Sequence, residues 1–130
     1  MARNPVGWFE IYVEDLDRAQ RFYESVLGVS LTPLPTPPQA EGMPALTMLA
    51  FPMDEAASGA AGALVRMEGV ASGGNSVMVY FNCDDCETEA GRVVAAGGRL
   101  QQGKMPIGDY GFIALAFDTE GNMFGLHSTR

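Results

Sequence analysis

The most informative polar residue of the sequence is Glu10, which stands between Trp8 and Tyr12 at strand spacing. Alternate residues of an extended segment point to opposite sides, so Trp8, Glu10 and Tyr12 share one face while Phe9, Ile11 and Val13 share the other. The purely apolar set must pack inward, and the mixed set meets a different environment. Partial burial between aromatic rings makes a carboxylate a usable acid or base near neutrality, and Glu10 is the candidate for that role. The same residue serves equally well as a structural carboxylate paired with His127, Arg66 or Tyr80. His127 is the only histidine in the chain. It is read either as a proton-transfer partner or ligand hydrogen-bond donor, or as a plain satisfied or exposed side chain.

A second segment, Val77 to Cys83, repeats the alternation. Val77, Val79, Phe81 and Cys83 take one side; Met78, Tyr80 and Asn82 take the other. With Trp8 and Tyr12, these last three are the candidate ligand-binding residues, beside the catalytic candidates Glu10 and His127. Trp8, Met78 and Tyr80 would line an apolar pocket or, alternatively, close the space as core.

Cys83 and Cys86 form a C-x-x-C spacing, with Asp84 and Asp85 between them. A structural zinc site needs four donors, and the chain has no second C-x-x-C or histidine pair. The intervening aspartates oppose the thiolate that redox chemistry needs. Both cysteines therefore read as small apolar residues, too close together for a loop-closing disulfide framework, and a reducing cytoplasm is the expected compartment. Gly103–Phe112 (GKMPIGDYGF) is too short and wrongly placed for a phosphate loop and reads as a mobile strand connection. G-x-S-x-G, H-E-x-x-H and GxGxxG are absent.

The elements that carry these residues repeat. Trp8 to Gly28 (WFEIYVEDLDRAQRFYESVLG) and Met78 to Gly98 (MVYFNCDDCETEAGRVVAAGG) follow one pattern. Each opens with a strand and passes an acidic turn, where Asp15 or Asp85 is placed to cap a helix. Each helix ends at a glycine, Gly28 or Gly98, suited to a left-handed cap. Leu16, Ala19, Phe22, Tyr23 and Val26 form the buried stripe expected of the first helix; Cys86, Ala90, Val93 and Val94 form that of the second. Further strands are expected at 45–51, 62–67, 112–118 and 123–128, with a hairpin turn at 118–122 where Gly121 and Asn122 suit positive φ. Residues 69–75 are the linker. The stretch 33–44 holds five of the eight prolines and reads as a loop, either a lid or disordered.

The chain has 130 residues, with 8 Lys+Arg against 16 Asp+Glu and a net charge of −8. It is long enough for one compact domain, residues 1–130, made of modules 5–68 and 76–130. Too few cations are present to replace the counterions of a nucleic acid or to adhere to an anionic membrane. No apolar run approaches the ~20 residues of a membrane span, and MARNPVGW lacks a secretion-signal pattern.

A duplicated βαβββ unit with these first-strand patterns resembles the vicinal oxygen chelate superfamily, which includes glyoxalase I, bleomycin-resistance proteins and extradiol dioxygenases. IYVEDLDRAQRFYESVLG, FNCDDCETEAGRVVAAGG and DTEGNMFGLHS carry the resemblance, which spans essentially the whole chain. It implies an α+β fold in which tandem βαβββ modules form a cupped mixed sheet. Helices lie outside, and a small organic molecule binds on the concave face, where Trp8, Glu10, Tyr12, Met78, Tyr80, Asn82 and His127 fall. It also implies a homodimer, which would cover sheet edges and apolar surface.

Metal-dependent relatives place His or Glu on the first and last strand of each module. The matching positions here are Trp8, Ala63 or Leu64, Met78 and Gly125, and none is a ligand. Glu10 and His127 lie two residues further along the same faces, and would serve only a shifted metal site needing further partners. The resemblance therefore implies a protein that binds a small organic ligand without the inherited divalent metal and without another cofactor. The alternatives are a lyase, isomerase or dioxygenase-type enzyme using Glu10 or a shifted metal, and a partner-binding module with a filled cup.

Overall fold

Two stretches of alternating apolar residues, each followed by an aspartate-capped helix, organise the chain. The structure, a computed structural model, describes residues 4–36, 44–74 and 76–130. Its elements run β1 (Val6–Tyr12), α1 (Leu16–Leu27), β2 (Thr32–Leu34), β3 (Leu46–Ala50), β4 (Ala61–Met67), β5 (Val77–Asn82), α2 (Cys86–Ala90), β6 (Arg99–Pro106), β7 (Phe112–Phe117) and β8 (Met123–Ser128). The order strand, helix, three strands occurs twice, as the α+β expectation requires. The chain divides into two compact units: Trp8–Val77, and Met78–Arg130 together with Met1–Gly7. Among the described residues, no helix is long and apolar enough to cross a membrane.

In the unit Trp8–Val77 the strands lie in the order β2-β3-β4-β1. β1 runs parallel to β4, with Trp8 opposite Ala61, Glu10 opposite Ala63 and Tyr12 opposite Val65; the other pairs are antiparallel. The Asp15 carboxylate accepts the Arg18 amide at 3.0 Å, and Gly28 caps the far end of α1 at φ 67°. Tyr23 meets Phe51 edge-on at 5.8 Å, and Phe51 meets Phe9 at 5.6 Å, which ties α1 to the Phe9 side of the sheet.

The stripe expected of α1 is rotated. Phe22, Val26 and Leu27 stand 56–62% exposed. The half-buried positions are Leu16, Ala19, Gln20, Tyr23 and Glu24, which keep helical spacing. Glu24 turns inward because its Oε2 accepts the Leu31 amide at 2.8 Å and the Gln20 side chain at 3.1 Å. Pro33 lies within the three-residue strand β2, at the outer end of the strand order, a position that tolerates its missing donor. Residues 37–43 of the proline-rich stretch, and Asn75 of the linker, lie outside the described residues.

In the second unit the order is β5-β8-β7-β6, with β5 and β8 parallel and the rest antiparallel. Cys83, Cys86, Ala90, Ala114 and Leu126 form the core under α2, flanked by Phe81, Phe112 and Phe124. Buried Ser128 joins helix to strand: its Oγ accepts the Cys86 amide at 3.0 Å and donates to the Arg130 carbonyl at 2.9 Å.

Four expectations need correction here. α2 is regular only over Cys86–Ala90; residues 91–97 continue as turns, some closed by tighter bonds such as Arg92 N–H to Glu89 O at 3.0 Å. The left-handed terminus is Gly97 (φ 102°) and not Gly98. The Gly97 amide donates to Val94 O and the Gly98 amide to Val93 O, the paired bonds that close a helical segment. Gly103–Pro106, expected as part of a mobile connection, belongs to strand β6; two register shifts and a polar sequence hide it. At the β7–β8 turn Gly121 has φ 82°, but Asn122 does not adopt positive φ.

Candidate functional site

On β1 the period-two geometry brings the three mixed-face residues together. The Trp8 indole donates to Glu10 Oε2 at 3.1 Å, and the Tyr12 hydroxyl donates to Oε1 at 2.6 Å. Both oxygens of the carboxylate are thus held by neighbours on its own strand, which fixes its plane. All three side chains are half-buried. The surroundings are apolar: Met48, Ala63 and Val65 form a buried cluster, with Trp8, Tyr12, Leu34, Leu46 and Met67 packed against it. Sequence reasoning missed Met48 and Val65; the alternation of Leu46, Met48 and Ala50 was the available signal.

In the second unit the register sets Tyr80 opposite Gly125 and Asn82 opposite His127. Met78, Tyr80, Asn82 and His127 therefore share one sheet side by strand alternation, as expected. Met78 and Tyr80 are buried, at 4% and 7% exposure, whereas Val77 is 53% exposed. The Tyr80 ring lies directly over Gly125, and a Cβ at that glycine would overlap it. The Asn82 side chain covers Gly7 in the same way. His127 Nε2 sits 2.6 Å from the Tyr110 carbonyl; a carbonyl only accepts, so Nε2 carries the proton in this contact.

The C-x-x-C pair is buried and free of a disulfide. Burial, and then the neighbouring Glu89 carboxylate, push the Cys83 thiol up to about 11, so it stays protonated at neutral pH. Asp85 accepts the Glu87 amide at 3.0 Å and the Lys104 ammonium at 2.9 Å. The Lys104 hydrogen bond holds the Asp85 carboxyl below its usual range, and Asp85 raises Lys104 in return. Among the described residues, no three His, Cys, Asp or Glu side chains are grouped to hold a metal ion. Of the inherited ligand positions, Ala63 and Leu64 are wholly buried and Gly125 is capped by a ring.

The family model described as the Glyoxalase/Bleomycin resistance protein/Dioxygenase superfamily matches residues 6–126. The chain belongs to that superfamily. Solved structures share this glyoxalase-type fold. A variant of Streptomyces coelicolor methylmalonyl-CoA epimerase in complex with 2-nitronate-propionyl-CoA is 18% identical, with 96% of this chain and 94% of that one covered and a TM-score of 0.62. Methylmalonyl-CoA epimerase from Mycobacterium tuberculosis is 14% identical, covering 100% and 93% at a TM-score of 0.65. A mutant of 4-hydroxymandelate synthase from Streptomyces coelicolor matches 99% of this chain over 39% of its own, at 18% identity and a TM-score of 0.68. No curated protein matches the sequence significantly. At these identities the superfamily likeness extends to the fold and leaves the chemistry to the residues.

Proposed function

We propose that this protein binds a small organic ligand over the Trp8–Glu10–Tyr12 face of β1, without the divalent metal used by relatives in its superfamily. The observation that carries the reading is the Glu10 carboxylate, clamped at 3.1 and 2.6 Å by Trp8 and Tyr12 within an apolar patch. A charged acceptor whose plane is already fixed loses little freedom when a donor arrives. The ligand then presents a hydroxyl, amide or ammonium hydrogen to Glu10 and apolar surface to the two rings. Similar folds hold CoA esters, which supports an acyl derivative as the first class to try.

The metal-free part of the proposal rests on donor chemistry. Trp8, Ala63 or Leu64, Met78 and Gly125 offer no side chain that suits an ion needing several oxygen or nitrogen donors. We extend the proposal to a homodimer, supported by the exposed Phe22, Val26 and Leu27 of α1. Light scattering at micromolar concentration should return about twice the 13.9 kDa chain mass; a monomer mass would remove this part.

The chain has one tryptophan, and it is in the site. Titrating Trp8 fluorescence with a panel of small organic ligands, methylmalonyl-CoA among them, should give saturable quenching by at least one compound. Glu10→Gln should weaken that compound about tenfold while leaving the fold intact. A panel without quenching, or a Glu10→Gln protein with lowered melting temperature and native affinity, would refute the assignment.

A further inference from the structure

A groove of ≈ 340 Å³ opens in the second unit, remote in sequence from Glu10 and its neighbours. Its walls are Val93 and Ala96 of the turn segment after α2, and Phe117, Phe124 and Leu126 of the β7–β8 hairpin. Such a volume is at the lower end of what small-molecule sites enclose. These walls are apolar, and the polar residues of the lining are Glu89, Arg92, Asp118 and Thr119. Glu89 projects from α2, and its Oε1 is buried with no hydrogen-bond partner. The Cys83 thiol lies near the same carboxylate, which helps to raise it, while its own hydrogen bond goes to the Phe81 carbonyl at 3.7 Å. Arg92 and Asp118 also line the groove. Arg92 does not reach Oε1, and the Asp118 oxygens already accept the Glu120 and Asn122 amides and the Asn122 side chain at 2.8–3.0 Å.

A buried acceptor left without a donor is costly, and native proteins keep few of them. The one at Glu89 belongs to a residue that lines a largely apolar groove in a chain of net charge −8, so the missing partner is a donor and preferably a cation. We propose that this groove is a second binding site, which takes a small primary ammonium compound with an aryl or alkyl body. The ammonium donates to the Glu89 carboxylate, whose buried Oε1 a rotation of the side chain turns toward the groove. The body lies against Val93, Ala96, Phe124 and Leu126. The neutral Cys83 thiol adds no competing charge. This site is independent of the β1 face, so either can fail without the other.

The probe is 2-phenylethylamine, with 3-phenylpropionate as the counterpart of opposite charge, followed by amide resonances of the full chain. The amine should shift the amides of Val93, Gly98 and Thr119 saturably, and the carboxylate should not. Glu89→Gln keeps the shape, removes the charge, and should weaken the amine about tenfold or more. Ala96→Phe, at an exposed position, fills the groove and should abolish the shifts even if Glu89→Gln proves unfolded. Absence of saturable shifts, equal binding of both probes, or unchanged affinity in a folded Glu89→Gln protein would overturn the proposal.

Discussion

The Tyr12 hydroxyl lies 2.6 Å from Glu10 Oε1, two residues away on the same face of one strand. This contact needs no tertiary coincidence, because strand alternation alone puts the two side chains together. Hydrogen bonds to charged groups contribute about 1.5–3 kcal/mol, and partial exposure of this pair places it near the lower end. Tyr12→Phe should therefore cost about 1.5 kcal/mol in chemical denaturation. Combined with Glu10→Gln, the two changes should cost clearly less than their separate sum. Strict additivity would mean that the short contact contributes nothing in solution.

Gly125 should tolerate no side chain while Tyr80 is present. A Cβ there meets the ring itself, so Gly125→Ala must push a buried tyrosine out of its place. Overpacking of this kind costs about 1–3 kcal/mol. Pairing it with Tyr80→Leu should recover part of the loss, measured as the midpoint in urea. If Gly125→Ala unfolds at the native midpoint, the ring does not sit over the strand as described.

Of the fold, the β1 and β5 faces, the two aspartate caps and the glycine at the end of α1 were legible from the sequence, because each rests on local spacing. The rest depended on information the local pattern lacks. Phe22 and Val26 look like core at helical spacing, yet Glu24 takes the inward position through its bond to the Leu31 amide. β2 hides in a proline-rich stretch, and β6 in a polar segment with two register shifts. Of the candidate site, the shared face of Trp8, Glu10 and Tyr12 was readable from strand alternation, but the donation of both neighbours to the carboxylate was not: the partners expected for it were His127, Arg66 or Tyr80. Glu89 was not: in Cys86–Ala90 it looks like one of several acids on a solvated helix, and the local pattern does not show that β6, β7 and β8 pack against α2 or that its Oε1 is buried.

Cys83 should be a slow nucleophile. Its thiol is raised from 9.0 to about 11, first by burial and next by the Glu89 charge. That shift lowers the thiolate fraction about 100-fold below pH 9, before any steric protection is counted. Iodoacetamide labelling of the native protein near pH 8, read by mass spectrometry, should be at least about 100-fold slower at Cys83 than in denaturant. Because the folded value is raised, this thiol's contribution to stability is complete below the unfolded value and is lost as pH rises toward 11. Rapid labelling of the folded protein at pH 8 would contradict the burial of this residue.

Elemental analysis after dialysis should find no stoichiometric divalent metal, and a chelator should leave the melting temperature unchanged. The positions that carry ligands in metal-dependent relatives hold Trp8, Ala63 or Leu64, Met78 and Gly125. A bound ion that contributed to folding would be exposed at once by the chelator. One Zn, Ni, Mn or Fe per chain would refute the metal-free reading while leaving the Glu10 clamp as a separate question.

Asp118 closes the β7–β8 turn. Its carboxyl is held below the usual carboxylate range, first by the Asn122 amide and then by the Asn122 side chain. A depressed folded value means that the contribution is present above the unfolded value and is lost as pH falls through the folded one. Asp118→Asn keeps an acceptor for the Glu120 and Asn122 amides but cannot titrate. The native protein should therefore melt higher than Asp118→Asn near neutral pH, and the gap should close as pH is lowered from about 5 to about 2. Asp85, lowered chiefly by Lys104, acts in the same direction but is untouched by this change, so it contributes equally to both proteins and cancels in the comparison. A gap that stays constant across the acid range would show that the turn is held by the shape of the Asp118 side chain and not by its charge.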